Sequence, residues 1–66
     1  MSNLGTIEFG SVFKNEKNGD RIVVYKNGKL WIAESNTLNM ARDTKRQTIS
    51  LVKRLGFTKY TGRTEL

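Results

Sequence analysis

The chain contains no cysteine, no histidine and no proline. Without cysteine, no disulfide can staple so short a sequence, and no thiol can serve as a nucleophile or soft metal ligand. Without histidine, the commonest general acid–base side chain is missing. With both absent, zinc has none of its preferred nitrogen and sulfur ligands. Long apolar runs are lacking too. The longest, Ile22-Val23-Val24-Tyr25 and Leu30-Trp31-Ile32-Ala33, are four residues each, against the roughly 20 that a membrane-crossing helix needs. The start, MSNLGTIEFG, has neither the charged n-region nor the apolar h-region of a signal peptide. The expected location is therefore the cytoplasm. The initiator Met and the small size fit a stand-alone product. Genes this short are common in phages and plasmids, so host cytoplasm and a viral accessory role belong to the same expectation.

The remaining inventory argues against catalysis. A serine or threonine nucleophile would have only lysine or a carboxylate as its base. The six carboxylates are scattered, most of them in turns, at strand ends or near the C-terminus. Asn18-Gly19-Asp20 is too short for a calcium loop, and no glycine-rich phosphate loop occurs. The sequence predicts neither an enzyme nor a metal site, and it implies no cofactor.

Basic side chains are abundant instead. The net charge is +6, and it is unevenly placed. Residues 1–41 carry five basic against four acidic side chains, and residues 42–66 carry seven against two. This asymmetry points to a polyanionic partner.

Sixty-six residues allow one domain, near the lower size limit for folding without staples. Residues 1–5 read as a short disordered lead. Thr6 to Lys14 places Ile7, Phe9 and Phe13 at one parity, as a strand with one buried face does. Asn15 to Asp20 is a turn cluster centred on Asn18-Gly19. Arg21–Lys26 and Lys29–Glu34 read as two strands around Asn27-Gly28, the strongest short hairpin signal. A two-residue Asn27-Gly28 turn sets Val24 opposite Trp31, Ile22 opposite Ala33 and Arg21 opposite Glu34. Alternation then gives two faces. One carries Ile22, Val24, Trp31 and Ala33, joined by Phe9 and Phe13. The other carries Val23, Tyr25, Leu30 and Ile32, joined by Val12. Both are apolar, and one helix can cover only one of them. The Trp31 face has the larger side chains and is the expected core.

Ser35 or Thr37 is a candidate N-cap for an amphipathic helix over residues 37–55. Ala41, Thr48, Val52 and Leu55 fall on its apolar side, and Arg42, Arg46, Ser50, Lys53 and Arg54 on the other. The alternative is a turn through Leu38–Arg42 and a shorter helix capped by Asp43 or Thr44. Thr44-Lys45-Arg46-Gln47 has capping-box spacing. Gly56 suits the C′ position. Residues 57–60 form an optional extended segment, and residues 61–66 read as a polar tail. The predicted architecture is α+β: a three-stranded antiparallel sheet over residues 6–34, then one C-terminal helix. In element order, residues 6–55 resemble the arm-binding domain of phage and transposon integrases and the plant AP2 domain, whose sheets enter the major groove. The recurring Gly/Trp strand patterns of those families are missing, so no binding residue is carried over.

Two functions compete on these residues. The first is nucleic-acid binding in an accessory or regulatory role, DNA being slightly favoured over RNA. Arg42, Arg46, Lys53 and Arg54 would grip phosphates from the helix, three of them within about 40° around its axis. Lys26 and Lys29 would add contacts at the hairpin tip, and Tyr25 a ring on which a base could stack. Trp31 reads as core. The second is modulation of a protein partner, such as inhibition of a host protein by a phage product, through an acidic or apolar groove, a sheet face or an edge strand. Homodimerisation through the face of Val23, Tyr25, Leu30 and Ile32 is compatible with either.

Overall fold

In the computed structural model, residues 9–66 are described. The expected lead and the first residues of the expected first strand lie outside them. Strands β1 (Phe9–Asn15), β2 (Arg21–Asn27) and β3 (Leu30–Glu34) are followed by β4 (Asn39–Arg42), helix α1 (Lys45–Arg54) and β5 (Phe57–Glu65). The five strands form one antiparallel sheet in the order β4-β3-β2-β1-β5. The α+β class holds, but the three-stranded sheet is corrected to five strands. β4 comes from a segment read as helix or turn, and β5 begins in the optional extended segment 57–60 and runs on through the residues read as a polar tail. The element order is accordingly β-β-β-β-α-β, and the resemblance to the three-strand-plus-helix domains fails on it.

β4 occupies the segment expected to begin the helix. Leu-Asn-Met-Ala-Arg has good helix propensity, but β3 offers a free edge. Asn39, Met40, Ala41 and Arg42 pair with Glu34, Ala33, Ile32 and Trp31 along it. Ser35 does supply a cap-like bond, though to a turn. Its Oγ accepts from the amides of Leu38 (3.0 Å) and Thr37 (3.3 Å), closing the β3–β4 hairpin. The helix expected over 37–55 is therefore Lys45–Arg54, the shorter alternative. Thr44 is its N-cap, and its Oγ1 accepts from the Gln47 amide at 3.1 Å. Gly56 follows the C-cap Leu55 with φ 107°, a conformation that other residues adopt only with strain.

β5 replaces the polar tail. It pairs with β1 from Asn15↔Phe57 to Phe9↔Glu65, with two register shifts on the way. Its sequence lacks a sustained apolar alternation because most of its side chains are exposed. Its place in the sheet rests on backbone pairing to β1 and on Phe57 at its root, which is buried.

The β2–β3 register also differs from expectation. Val24 pairs with Ala33 and Lys26 with Trp31, so the turn residues are Gly28-Lys29 rather than Asn27-Gly28. Gly28, with φ 64°, takes the first central position, where both favoured hairpin turns need positive φ. The slip is two residues, so each side chain keeps its face. Its effect is to set small Ala33 beside Val24 at the centre and to move Trp31 toward the sheet end.

That central region is where α1 packs. Phe13, Ile22, Val24 and Ala33 from the sheet meet Val52 and Phe57, with Trp31, Leu38, Met40 and Ile49 around them. Thr48 is fully buried among these. Its hydroxyl lies 3.0 Å from the Thr44 carbonyl and 3.3 Å from that of Trp31, linking helix to sheet. Of the expected apolar helix side, Thr48 and Val52 are buried, Leu55 is exposed and Ala41 belongs to β4. Among the described residues, no helix covers the opposite sheet face.

Candidate nucleic-acid interface

Trp31 is partly buried on the helix side of β3. Its cross-strand partners are Lys26 on β2 and Arg42 on β4. Directly opposed residues share a face, so both cations flank the indole. A third approaches from above: the Nζ of Lys45, the first residue of α1, stands 5.6 Å from the ring centroid. Three elements thus place three basic residues around Trp31, with the Lys45 ammonium over its ring. The helix contributes to the same field, since its first turn contains no carboxylate and its N-terminal end carries partial positive charge. Asp43, just before the cap, partly opposes it.

The strip continues across the sheet. Extending the β1–β2 register by two residues sets Phe9 beside Lys26, and the two line one hollow with Asn27, Gly28 and Leu66. Phe9 is 46% exposed, and the guanidinium carbon of Arg63 lies 5.0 Å from its centroid. Further along β5, Tyr60 is 54% exposed and packs against Phe13 with centroids 5.5 Å apart. The helix-side surface therefore carries Trp31, Phe9 and Tyr60 interleaved with Lys26, Arg42, Lys45 and Arg63.

The expected contact residues are divided among several places. Lys26 and Arg42 meet at Trp31. Arg42 is not on the helix, and its Nη1 donates to the Ala41 carbonyl. Arg46, Lys53 and Arg54 are exposed on α1. Arg46 and Arg54 flank a shallow surface groove with Gln47, Ser50 and Leu51. Lys29 projects from the turn that ends the β2–β3 hairpin.

Tyr25 stands apart on the open face of the sheet. Its hydroxyl donates to Glu34 Oε1 at 2.9 Å. That bond, with desolvation and the Glu34 charge, holds the phenol above its ordinary value of 10.0. Tyr25 and Val23 line an open groove of about 810 Å³, whose rim includes Asp20, Glu34 and Glu65. Three of the six carboxylates of the chain thus border this groove.

Sequence reasoning placed Phe9 on the Trp31 face but missed Lys45, Arg63 and Tyr60 as members of the same surface. Only the pairing of β5 with β1 and the late start of α1 bring them together. Comparison of the chain with protein-family models, with characterised proteins and with solved structures finds no match.

Proposed function

We propose that the protein binds nucleic acid through its helix-side surface, as an accessory or regulatory protein without catalytic activity. The observation that carries this reading is the convergence of Lys26, Arg42 and Lys45 on Trp31 from β2, β4 and α1. Cations that outnumber the nearby carboxylates, Asp43 before the cap and Glu65 opposite Phe9, suit a phosphate backbone, which supplies most non-specific affinity. Arg63 extends the positive surface along β5, and Arg46, Lys53 and Arg54 extend it along the helix.

The test is fluorescence anisotropy of labelled nucleic acid at about 50 and 200 mM salt. Four phosphate contacts predict a loss of roughly 100-fold in affinity across that range. Absence of binding at the lower salt, or binding indifferent to salt, would overturn the reading.

A second reading draws on the open face. Val12, Val23, Tyr25, Ile32 and Ala41 are only partly buried there, and α1 lies on the other side. Such a band suits a protein partner, or a second copy of the chain. It predicts that Tyr25→Ala and Leu30→Ser abolish function, while an Arg42→Ala/Arg46→Ala pair leaves it intact.

A further inference from the structure

Phosphate binding needs cations but not aromatic rings, and the helix-side strip has both. Phe13 and Phe57 are each 5% exposed in the core, so the fold does bury aromatic side chains. Phe9 and Tyr60, by contrast, are left about half exposed, and Trp31 is only partly buried. Leaving a large ring in water forgoes roughly 25 cal/mol for each Å² not buried. These three account for half of the six aromatic side chains. Each faces the helix side, where Lys26, Arg42, Lys45 and Arg63 gather.

We infer that the ligand of this strip is single-stranded nucleic acid, with an unpaired base stacked on Trp31. The inference rests on the nucleic-acid reading above and narrows it. In a duplex the base faces are already stacked, and exposing one costs a few kcal/mol. A single strand presents those faces freely, and it binds where aromatic platforms alternate with cations. The strip has that alternation. Trp31 on β3 and Phe9 on β1 are two strands apart, roughly 10 Å, and Lys26 lies on the strand between them. Charge complementarity selects the occupant, because a neutral apolar partner would leave four cations around the rings uncompensated. Lys45 is exposed and long-stemmed. An incoming base takes the place of its ammonium over the ring, and the ammonium moves to the adjoining phosphate.

Trp31 is the only tryptophan, so its emission reports on the site directly. The experiment titrates the full chain with oligo(dT), oligo(rU) and a duplex of equal length, reading Trp31 emission alongside the anisotropy of labelled strands. Single strands should quench Trp31 and bind roughly tenfold or more tightly than duplex, and oligo(dT) against oligo(rU) distinguishes DNA from RNA. Phe9→Leu, outside the buried core, should weaken single-strand binding about fivefold or more, a larger loss than it causes for duplex. Trp31→Leu should do the same, with circular dichroism confirming its fold. Equal affinity for single strand and duplex, or single-strand binding without a change in Trp31 emission, overturns the single-strand inference while the phosphate-binding reading stands. If neither ligand binds at low salt, the reading beneath it falls as well.

Discussion

Lys45 holds its ammonium 5.6 Å from the centroid of the Trp31 ring, joining the first residue of α1 to β3. An exposed cation over an aromatic ring contributes about 0.5–1 kcal/mol. Lys45→Gln removes the charge while keeping a similar helix propensity. Loss of the ring contact and relief of the cation at the positive end of α1 oppose each other, so a double-mutant cycle with Trp31→Leu, in urea unfolding followed by circular dichroism, should isolate the contact as about 0.5 kcal/mol. Lys45→Gln should also make the salt dependence of nucleic-acid binding shallower by about one in the log–log slope. A coupling of zero between Lys45 and Trp31 would mean that the ammonium does not rest on the ring in solution.

Thr44 tests where the helix begins. Its Oγ1 accepts the Gln47 amide at 3.1 Å, and loss of such a cap costs about 1 kcal/mol. Thr44→Ala should therefore destabilise. In a continuous helix from residue 37, the same change would replace an interior threonine with the best helix former and stabilise by a few tenths of a kcal/mol. The sign of the shift in denaturation midpoint separates the two.

The same segment explains what the sequence could and could not reveal. The capping chemistry of Thr44 and the C′ glycine at Gly56 were legible because each depends on a few adjacent atoms. The faces of β2 and β3 were legible because their alternation survives a two-residue slip. The slip itself was not, since Asn27-Gly28 and Gly28-Lys29 both make acceptable hairpin turns. β4 was hidden because Leu38, Met40 and Ala41 suit a helix as well as a strand, and only the free edge of β3 decides between them. Residues 57–60 were legible as an extended segment, but the rest of β5 was hidden because it buries little and is held by its ladder to β1. The candidate site suffered most. Lys26 and Arg42 were identified singly, but their meeting at Trp31 depends on the corrected register and on β4.

Gly10 and Gly28 should fail for different reasons. A Cβ on Gly10 would lie 2.5 Å from Val23 Cγ1 and 3.2 Å from the Val24 carbonyl oxygen. Gly10→Ala should cost about 1–3 kcal/mol through overpacking. A Cβ on Gly28 meets nothing within 4 Å, but φ is 64°, so Gly28→Ala should cost about 1–2 kcal/mol through strain alone. A double-mutant cycle distinguishes them. Val23→Ala should recover part of the Gly10→Ala loss and none of the Gly28→Ala loss.

Alkaline titration should expose the Tyr25–Glu34 bond. The folded phenol is held above its ordinary value of 10.0, first by donating to Glu34, then by desolvation and the Glu34 charge. Below that value both states keep the proton, and the contribution to stability is fully present. Above it the unfolded phenol ionises first, so the contribution shrinks as pH rises and is lost beyond the raised folded value. Unfolding of the wild type and of Tyr25→Phe from about pH 8 to about pH 11 should therefore show the wild-type advantage falling. A constant difference would show that the hydroxyl does not donate to Glu34.

Lys59 offers a test that separates location of charge from amount of charge. In the β1–β5 ladder it stands directly opposite Lys14, which itself faces Arg21 on β2. Val12, two residues before Lys14, faces Val23, so this row of three cations lies on the open side. Like charges directly opposed are destabilising, and opposite charges stabilise by roughly 0.2–1 kcal/mol. Lys59→Glu should therefore raise the melting temperature even though it changes the net charge from +6 to +4. Lys26→Glu makes the same change in net charge but places a carboxylate beside Trp31, where Lys45 and Arg42 also converge. If binding follows the overall charge, the two variants lose affinity equally at a given salt. If it depends on the helix-side strip, Lys26→Glu should lose roughly tenfold more than Lys59→Glu, since it both removes a phosphate contact and repels the strand. Anisotropy at one low salt concentration with both variants decides between these outcomes, and the thermal melt of Lys59→Glu checks the open-face register independently of any ligand.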